Sequence, residues 1–132
     1  YRLRYAPGMS VVLDTNALMM PVECNVRVFE ELDRLLGDGE CVTPRAVVDE
    51  LEKLADGAGT EATAASVGRD LVERVRIRET EATYADDAVV ELAQADDVTH
   101  VVTNDKPLQQ RLRGAGVSVI SLRGKNKLGI TN

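Results

Sequence analysis

Carboxylates punctuate this chain where chemistry can gather. Asp14 follows Ser10-Val11-Val12-Leu13 and precedes Thr15-Asn16, and Asp105 follows Val101-Val102-Thr103-Asn104. Between them lie two acidic pairs, Asp49-Glu50 and Asp86-Asp87. An apolar run that ends in a hydroxyl, an amide and a carboxylate puts polar oxygen where an open α/β sheet places ligands, beyond the carboxyl ends of its strands. Taken one at a time, each acid reads as a helix cap, a turn residue or a surface charge. As an ordered set, with Asp14 and Asp105 in near-identical contexts, they describe an oxygen-rich site suited to Mg²⁺ or Mn²⁺. Several carboxylates brought together stay ionised near neutrality only beside a compensating cation.

The elements that would position these acids follow from periodicity. The opening apolar run is a buried strand. Val26 to Leu36 carries Val26, Phe29, Leu32, Leu35 and Leu36 at helical spacing and stops at Gly37 and Gly39. Glu40 to Thr43 is a second strand, and Thr43-Pro44 starts a helix from Arg45 to Ala55. A third helical pattern runs from Thr60 to Val75, with a short edge strand at Arg76 to Thr80. Thr83 to Ala95 is helical, with Thr83 and Asp86 spaced for a cap. His100 to Val102 is a strand, Lys106 to Arg113 a helix and Val117 to Leu122 a last strand; the tail from Arg123 to Asn132 is left unassigned. Strands alternating with helices predict an α/β fold with a parallel sheet covered on both faces.

Helix phase sorts the acidic pairs. Val47, Val48, Leu51, Leu54 and Ala55 define a buried stripe; Glu50 lies on its flank, whereas Asp49 lies opposite, between Arg45 and Lys53 at four-residue spacing. Glu50 is the site candidate and Asp49 a surface ion-pair partner. Ala85, Ala88, Val89 and Leu92 make the second stripe, which Asp86 flanks more closely than Asp87. Both acids sit in a first turn, where phase leaves the choice open.

Composition bounds the remaining readings. With 132 residues, 44% of them hydrophobic, the chain is expected to form one domain over 10–132, with 1–9 as an N-terminal extension or expression remnant. Without a membrane-length apolar run or a signal-peptide pattern, a cytoplasmic location is expected. Cys24 and Cys41 are too few for a disulfide framework and lack zinc-site spacing. A formal net charge of -6 argues against coating nucleic acid by bulk electrostatics. Every charge after Asp105 is positive, however: Lys106, Arg111, Arg113, Arg123, Lys125 and Lys127. Arg111, Arg113, Arg123 and Lys125 are candidates for backbone phosphate contacts. With one Phe and three Tyr, no aromatic platform for base stacking is evident. His100, the sole histidine, reads as structural rather than as a general base.

Four short pieces together resemble the PIN domain family, of the archaeal VapC-toxin and rRNA-processing nuclease type, over Ser10 to Leu122. They are Val12-Leu13-Asp14-Thr15-Asn16, Val47-Val48-Asp49-Glu50-Leu51, Tyr84-Ala85-Asp86-Asp87-Ala88-Val89 and Val102-Thr103-Asn104-Asp105-Lys106. The resemblance implies a three-layer α/β/α sandwich with a central, mainly parallel sheet. It implies Asp14, Glu50, Asp87 and Asp105 as catalytic metal-site acids, with Asp86 in reserve, and Asn16 and Thr103 as supporting polar groups. Asn16 is expected to orient the Asp14 carboxylate or a water of the site.

The function expected is a metal-dependent endoribonuclease. One or two Mg²⁺ or Mn²⁺ ions held by the acids would lower the pKa of water and offset charge on the leaving 3′-oxygen during in-line attack on a phosphodiester. The resemblance implies 5′-phosphate and 3′-hydroxyl products, an RNA substrate, an antitoxin or ribosome-assembly partner, and is compatible with a homodimer; no membrane is involved. The alternative is a non-catalytic PIN-like module that binds RNA or protein in a ribosome-assembly complex. A receiver domain would need a Lys immediately at the end of the last strand, a haloacid-dehalogenase phosphatase an Asp-x-Asp after the first, and a nucleotide-binding fold a glycine-rich phosphate loop. None of these is present.

Overall fold

The computed structural model describes residues 9–37 and 39–131; the N-terminal segment before Met9 lies outside the described residues. A six-stranded sheet forms the middle layer, in the order β3-β2-β1-β4-β5-β6. Its strands are β1 (Ser10–Leu13), β2 (Glu40–Pro44), β3 (Arg76–Arg78), β4 (Val98–Val102), β5 (Ser118–Arg123) and β6 (Lys127–Ile130). All pairings are parallel except β5 with β6. The helices are α1 (Thr15–Glu23), α2 (Val28–Leu36), α3 (Arg45–Ala55), α4 (Gly59–Leu71), α5 (Ala85–Ala93) and α6 (Lys106–Gly114). They complete the three-layer α/β/α sandwich. Among the described residues no helix is long and apolar enough to cross a membrane.

Every residue of β1 is buried, because the strand is flanked on both sides and covered on both faces. Val12, Leu13, Val42, Val101 and Ile120 are fully enclosed, and burying each such side chain stabilises the fold by about 1.5–3 kcal/mol. The Thr43 hydroxyl donates to the Leu13 carbonyl at 2.7 Å, satisfying both inside the sheet.

Two features of the fold differ from the sequence expectations because burial overrides local pattern. Thr15–Glu23 forms a helix that periodicity did not reveal. Ala17, Leu18, Met19 and Met20 are all buried in succession, with α4 packed closely against the helix, so α1 lacks the polar stripe that marks a surface helix, and Pro21 within it reads as a breaker. The unassigned tail becomes β6, an antiparallel edge strand. Its Leu128 amide donates to Glu31 at 2.9 Å, and its carbonyl accepts from Arg34 at 2.8 Å, so α2 occupies the edge's open hydrogen-bonding groups.

Smaller differences sit at element ends. The helix expected from Thr60 to Val75 stops at Leu71 and tightens into a 3-10 turn at Val72–Arg74. Thr83 does not cap α5: Tyr84 holds that position, without a side-chain bond. Arg45 pairs with Glu79 at 3.1 Å rather than with Asp49, because β3 delivers Glu79 beside the start of α3. Cys24 and Cys41 are free thiols, and burial pushes Cys41 up to about 11.

Gly68 lets α4 lie against α1, since a Cβ there would stand 2.8 Å from the Leu18 carbonyl oxygen and 3.2 Å from Leu51. Gly68→Ala is therefore expected to lose about 1–2 kcal/mol, the overpacking cost outweighing alanine's helix propensity. A urea midpoint measured beside Gly114→Ala, whose added methyl meets nothing within 4 Å, checks this; equal midpoints would contradict it.

Candidate active site

Successive crossovers from β1 to β2 to β3 step one way across the sheet, and those from β3 to β4 to β5 step the other. The reversal falls between β1 and β4, where the loops leaving the two strands part to opposite faces and open a crevice. Asp14 ends β1 and Asp105 follows β4, so the two acids flank this switch point. The first turn of α5 and the middle of α3 bring Asp86 and Glu50 to the same rim.

Local structure fixes each carboxylate. Asp14 caps α1: its Oδ1 accepts from the Ala17 amide at 2.7 Å, and its Oδ2 from Asn16 Nδ2 at 3.1 Å. Asp105 caps α6 in the same manner, accepting from the Leu108 amide at 3.0 Å. Glu50 accepts from the Thr15 hydroxyl. The two loops are stitched together across the switch point. Asn16 Oδ1 accepts from the Asn104 amide at 3.0 Å, its Nδ2 donates to the Thr103 hydroxyl at 3.4 Å, and that hydroxyl also accepts from the Asp105 amide at 3.0 Å.

Electrostatics shows which acids meet. Asp14, 4% exposed, is pushed up to about 7, chiefly by burial. The Thr103 hydroxyl and the Ala17 amide oppose this, while the charges of Asp86 and Asp105 add to it. Asp86 is also raised, first by burial, then by Asp105 and Glu50, with Arg111 pulling the other way and Asp87 adding a little. Asp14, Glu50, Asp86 and Asp105 thus share one electrostatic neighbourhood. Asp87 is exposed and forms an ion pair with Arg111 at 3.0 Å. Phase on the α5 helix decides this: the turn that aims Asp86 along the buried stripe sends its neighbour outward. Among the described residues no three acids close into a ready-made cage, because Asp14, Asp105 and Glu50 are each turned onto a donor of their own.

The basic candidates divide. Arg123 and Lys125 lie at the β5–β6 turn, at the same end of the sheet as the acids, since β5 runs parallel to β4. Arg111 stands at the rim through Asp87. Arg113 sits at the far end of α6 and donates to the Thr131 carbonyl at 2.8 Å, holding the C-terminal strand instead of facing the rim. His100 is half-buried within β4, its Nδ1 against the Thr99 hydroxyl at 2.8 Å and its pKa lowered by burial. Tyr84, passed over in the aromatic count, is 64% exposed immediately before Ala85 and Asp86. Its place at the head of Tyr84-Ala85-Asp86-Asp87 was the available signal.

A carboxyl raised from 3.8 to about 7 holds its proton in the folded state where the unfolded chain has lost it. Its contribution is therefore fully present below about pH 4 and is lost as pH rises to about 7. Asp14→Asn is expected to be more stable than the parent in chelator at pH 8, by about 1–3 kcal/mol, and to show no such advantage near pH 4. Urea unfolding at the two pH values measures it; a pH-independent difference would refute the assignment.

Comparison with known proteins supplies the family. The chain is 29% identical to Ribonuclease VapC4 of Methanocaldococcus jannaschii over 119 residues, 87% of this chain and 91% of that protein. The solved PIN domain endonuclease Utp24 superposes with a TM-score of 0.76 at 29% identity, covering 95% of this chain and 92% of that one. The fold also matches a VapBC2 structure from Rickettsia felis, solved bound to a promoter DNA fragment, with a TM-score of 0.62 at 13% identity, covering 86% and 98%. The family profile described as PIN like domain matches residues 11–125. With that match spanning nearly the whole chain, this protein belongs to the PIN-like domain family.

Proposed function

We propose that the protein is a divalent-metal-dependent endoribonuclease of the cytoplasm, cutting RNA phosphodiester bonds at the rim formed by Asp14, Glu50, Asp86 and Asp105. The observation that carries the reading is the shared field of these acids, in which Asp14 and Asp86 are both raised by burial and by one another's neighbours. Carboxylates left in such a field are short of positive charge, and an all-oxygen donor set fits Mg²⁺ or Mn²⁺. The likeness to proteins named ribonuclease and endonuclease supports nuclease activity, and the first of these supports RNA as the substrate.

Asp14, Asp86, Asp105 and Glu50 would hold the cation. Each capping carboxylate keeps its place through Oδ1, so the caps set the direction in which the acids present oxygen to the rim. When bound, the cation would supply acidity to water and offset charge on the leaving oxygen. Asn16 positions Asp14 and locks the β1 and β4 loops at a fixed separation. Arg111, held by Asp87, offers a guanidinium to the RNA backbone beside the acids, and Arg123 and Lys125 extend that contact along the rim. Tyr84 presents a flat ring next to Asp86 on which an unpaired base can stack. On this reading Asp86, not Asp87, is the third-motif ligand, and Asp87 positions Arg111.

RNA cleavage titrated with Mn²⁺ and Mg²⁺ over structured and single-stranded substrates tests the reading. Asp14→Asn and Asp86→Asn are each expected to lower kcat by roughly a hundredfold or more, whereas Asp87→Asn acts mainly on KM, by about two- to fivefold. Full activity in Asp14→Asn would overturn the mechanism; loss of kcat in Asp87→Asn alone would restore Asp87 as the ligand. For the aromatic ring, Tyr84→Ala should raise KM by about five- to tenfold with Tyr84→Phe near the parent. Equal effects of both substitutions would remove stacking.

A further inference from the structure

A second polar feature adjoins the acidic rim. A cleft of about 430 Å³ runs along α6 towards β5 and the chain's last described residue, lined by Asn104, Lys106, Gln109, Gln110, Arg113 and Thr131 among others. Asn104 and Lys106 stand on either side of Asp105, so the cleft begins where the acids end. Its far end is closed by Arg113, whose guanidinium is bound to the Thr131 carbonyl and hydroxyl.

Two carboxamides on this cleft are each anchored at one end. Gln109, only 5% exposed, donates from Nε2 to the Thr103 carbonyl at 2.7 Å, and its Oε1 accepts no hydrogen bond among the described residues. Asn104 accepts at Oδ1 from the Leu122 amide at 2.9 Å, and its Nδ2 donates none among the described residues. A buried amide oxygen without a donor is costly. An anchored acceptor and an anchored donor lining one cleft match a ligand such as the edge of a nucleobase, which presents donors and acceptors in one plane. Lys106, exposed on the same cleft, pairs with no acid among the described residues and can take a phosphate. A carboxylate or a bare phosphate would suit Lys106 but would set its oxygens against Gln109 Oε1.

We propose that this cleft is a base-reading subsite, in which Asn104, Gln109 and Gln110 recognise the base of a nucleotide next to the one cut and Lys106 holds its phosphate. The subsite rests on the ribonuclease reading of the adjoining rim and gives it sequence preference. Phosphate contacts at Arg111, Arg123 and Lys125 supply affinity without choice, and the carboxamides supply the choice.

The test compares labelled pentanucleotide RNAs that differ by one base at each position in turn. Binding is followed by fluorescence anisotropy in the Asp14→Asn background with Mg²⁺, and cleavage in the protein with Asp14 intact and Mn²⁺. One position is expected to show a preference of about fivefold or more between best and worst base, as a lost base-edge contact implies. Gln110→Ala and Gln109→Met should each flatten that ratio to about twofold or less, while binding of the disfavoured RNAs changes little. Thermal melts accompany both, and Gln110→Ala, on the surface of the cleft, decides the matter if Gln109→Met fails to fold. No base preference, a preference that survives Gln110→Ala, or a uniform weakening of all RNAs would overturn the subsite. A base preference in binding, flattened by the substitutions but without cleavage of any RNA, would keep the subsite and remove the nuclease reading.

Discussion

The Asp14 carboxylate, buried at the end of the central strand, is the constraint on which the rim depends. Folding removes it from water, and burial together with Asp86 and Asp105 works against its charge. The Ala17 amide, Asn16 and the Thr103 hydroxyl hold it in place nonetheless. A carboxylate in this position works against the fold that encloses it, whereas a neutral cap would not. The same bond that starts α1 thus fixes the direction from which the acid faces the crevice.

One local device appears twice. Strand β1 ends in Asp14 and strand β4 is followed by Asp105; each acid caps the helix after it, and each loop carries an amide side chain that reaches beyond its own loop. Asn16 ties the β1 loop to the β4 loop, and Asn104 ties the β4 loop to β5. Through these links the two acidic loops and β5 are held to one another. Rigid elements, rather than long loops, carry the site, which favours a fixed separation between the acids and the cleft along α6.

Much of this was legible in the sequence. The β-branched runs named the central strands, since a parallel strand buried on both faces reads as continuous apolar residues. The four acidic pieces gave the candidate site residues, and helix phase separated Glu50 from Asp49 because α3 has one clear buried stripe. Where the chain departed from periodicity the reading failed. Helix α1 is buried nearly all round and contains a proline, so no stripe marked it. The tail became β6 only because β5 offered an edge and α2 supplied Glu31 and Arg34 to its backbone. Thr83 matched a cap spacing, but the helix began one residue later than that pattern required.

The sequence by itself determined the fold class and the supply of carboxylates, because apolar period and residue type are local properties of the chain. Only the tertiary structure decided how the acids divide between roles. Asp86 and Asp87 are neighbours with the same chemistry, and the packing of α5 against the sheet, with Arg111 one helix away, aims one at the rim and pairs the other on the surface. Arg111 and Arg113 likewise differ by two residues, yet α6 presents one beside the acids and binds the other to Thr131. The cleft beside Asp105 exists only in three dimensions, since Asn104, Gln109 and Thr131 face it from a loop, a helix and the end of an edge strand. Which group meets which is set by long-range packing, and that information is in no short stretch of the chain.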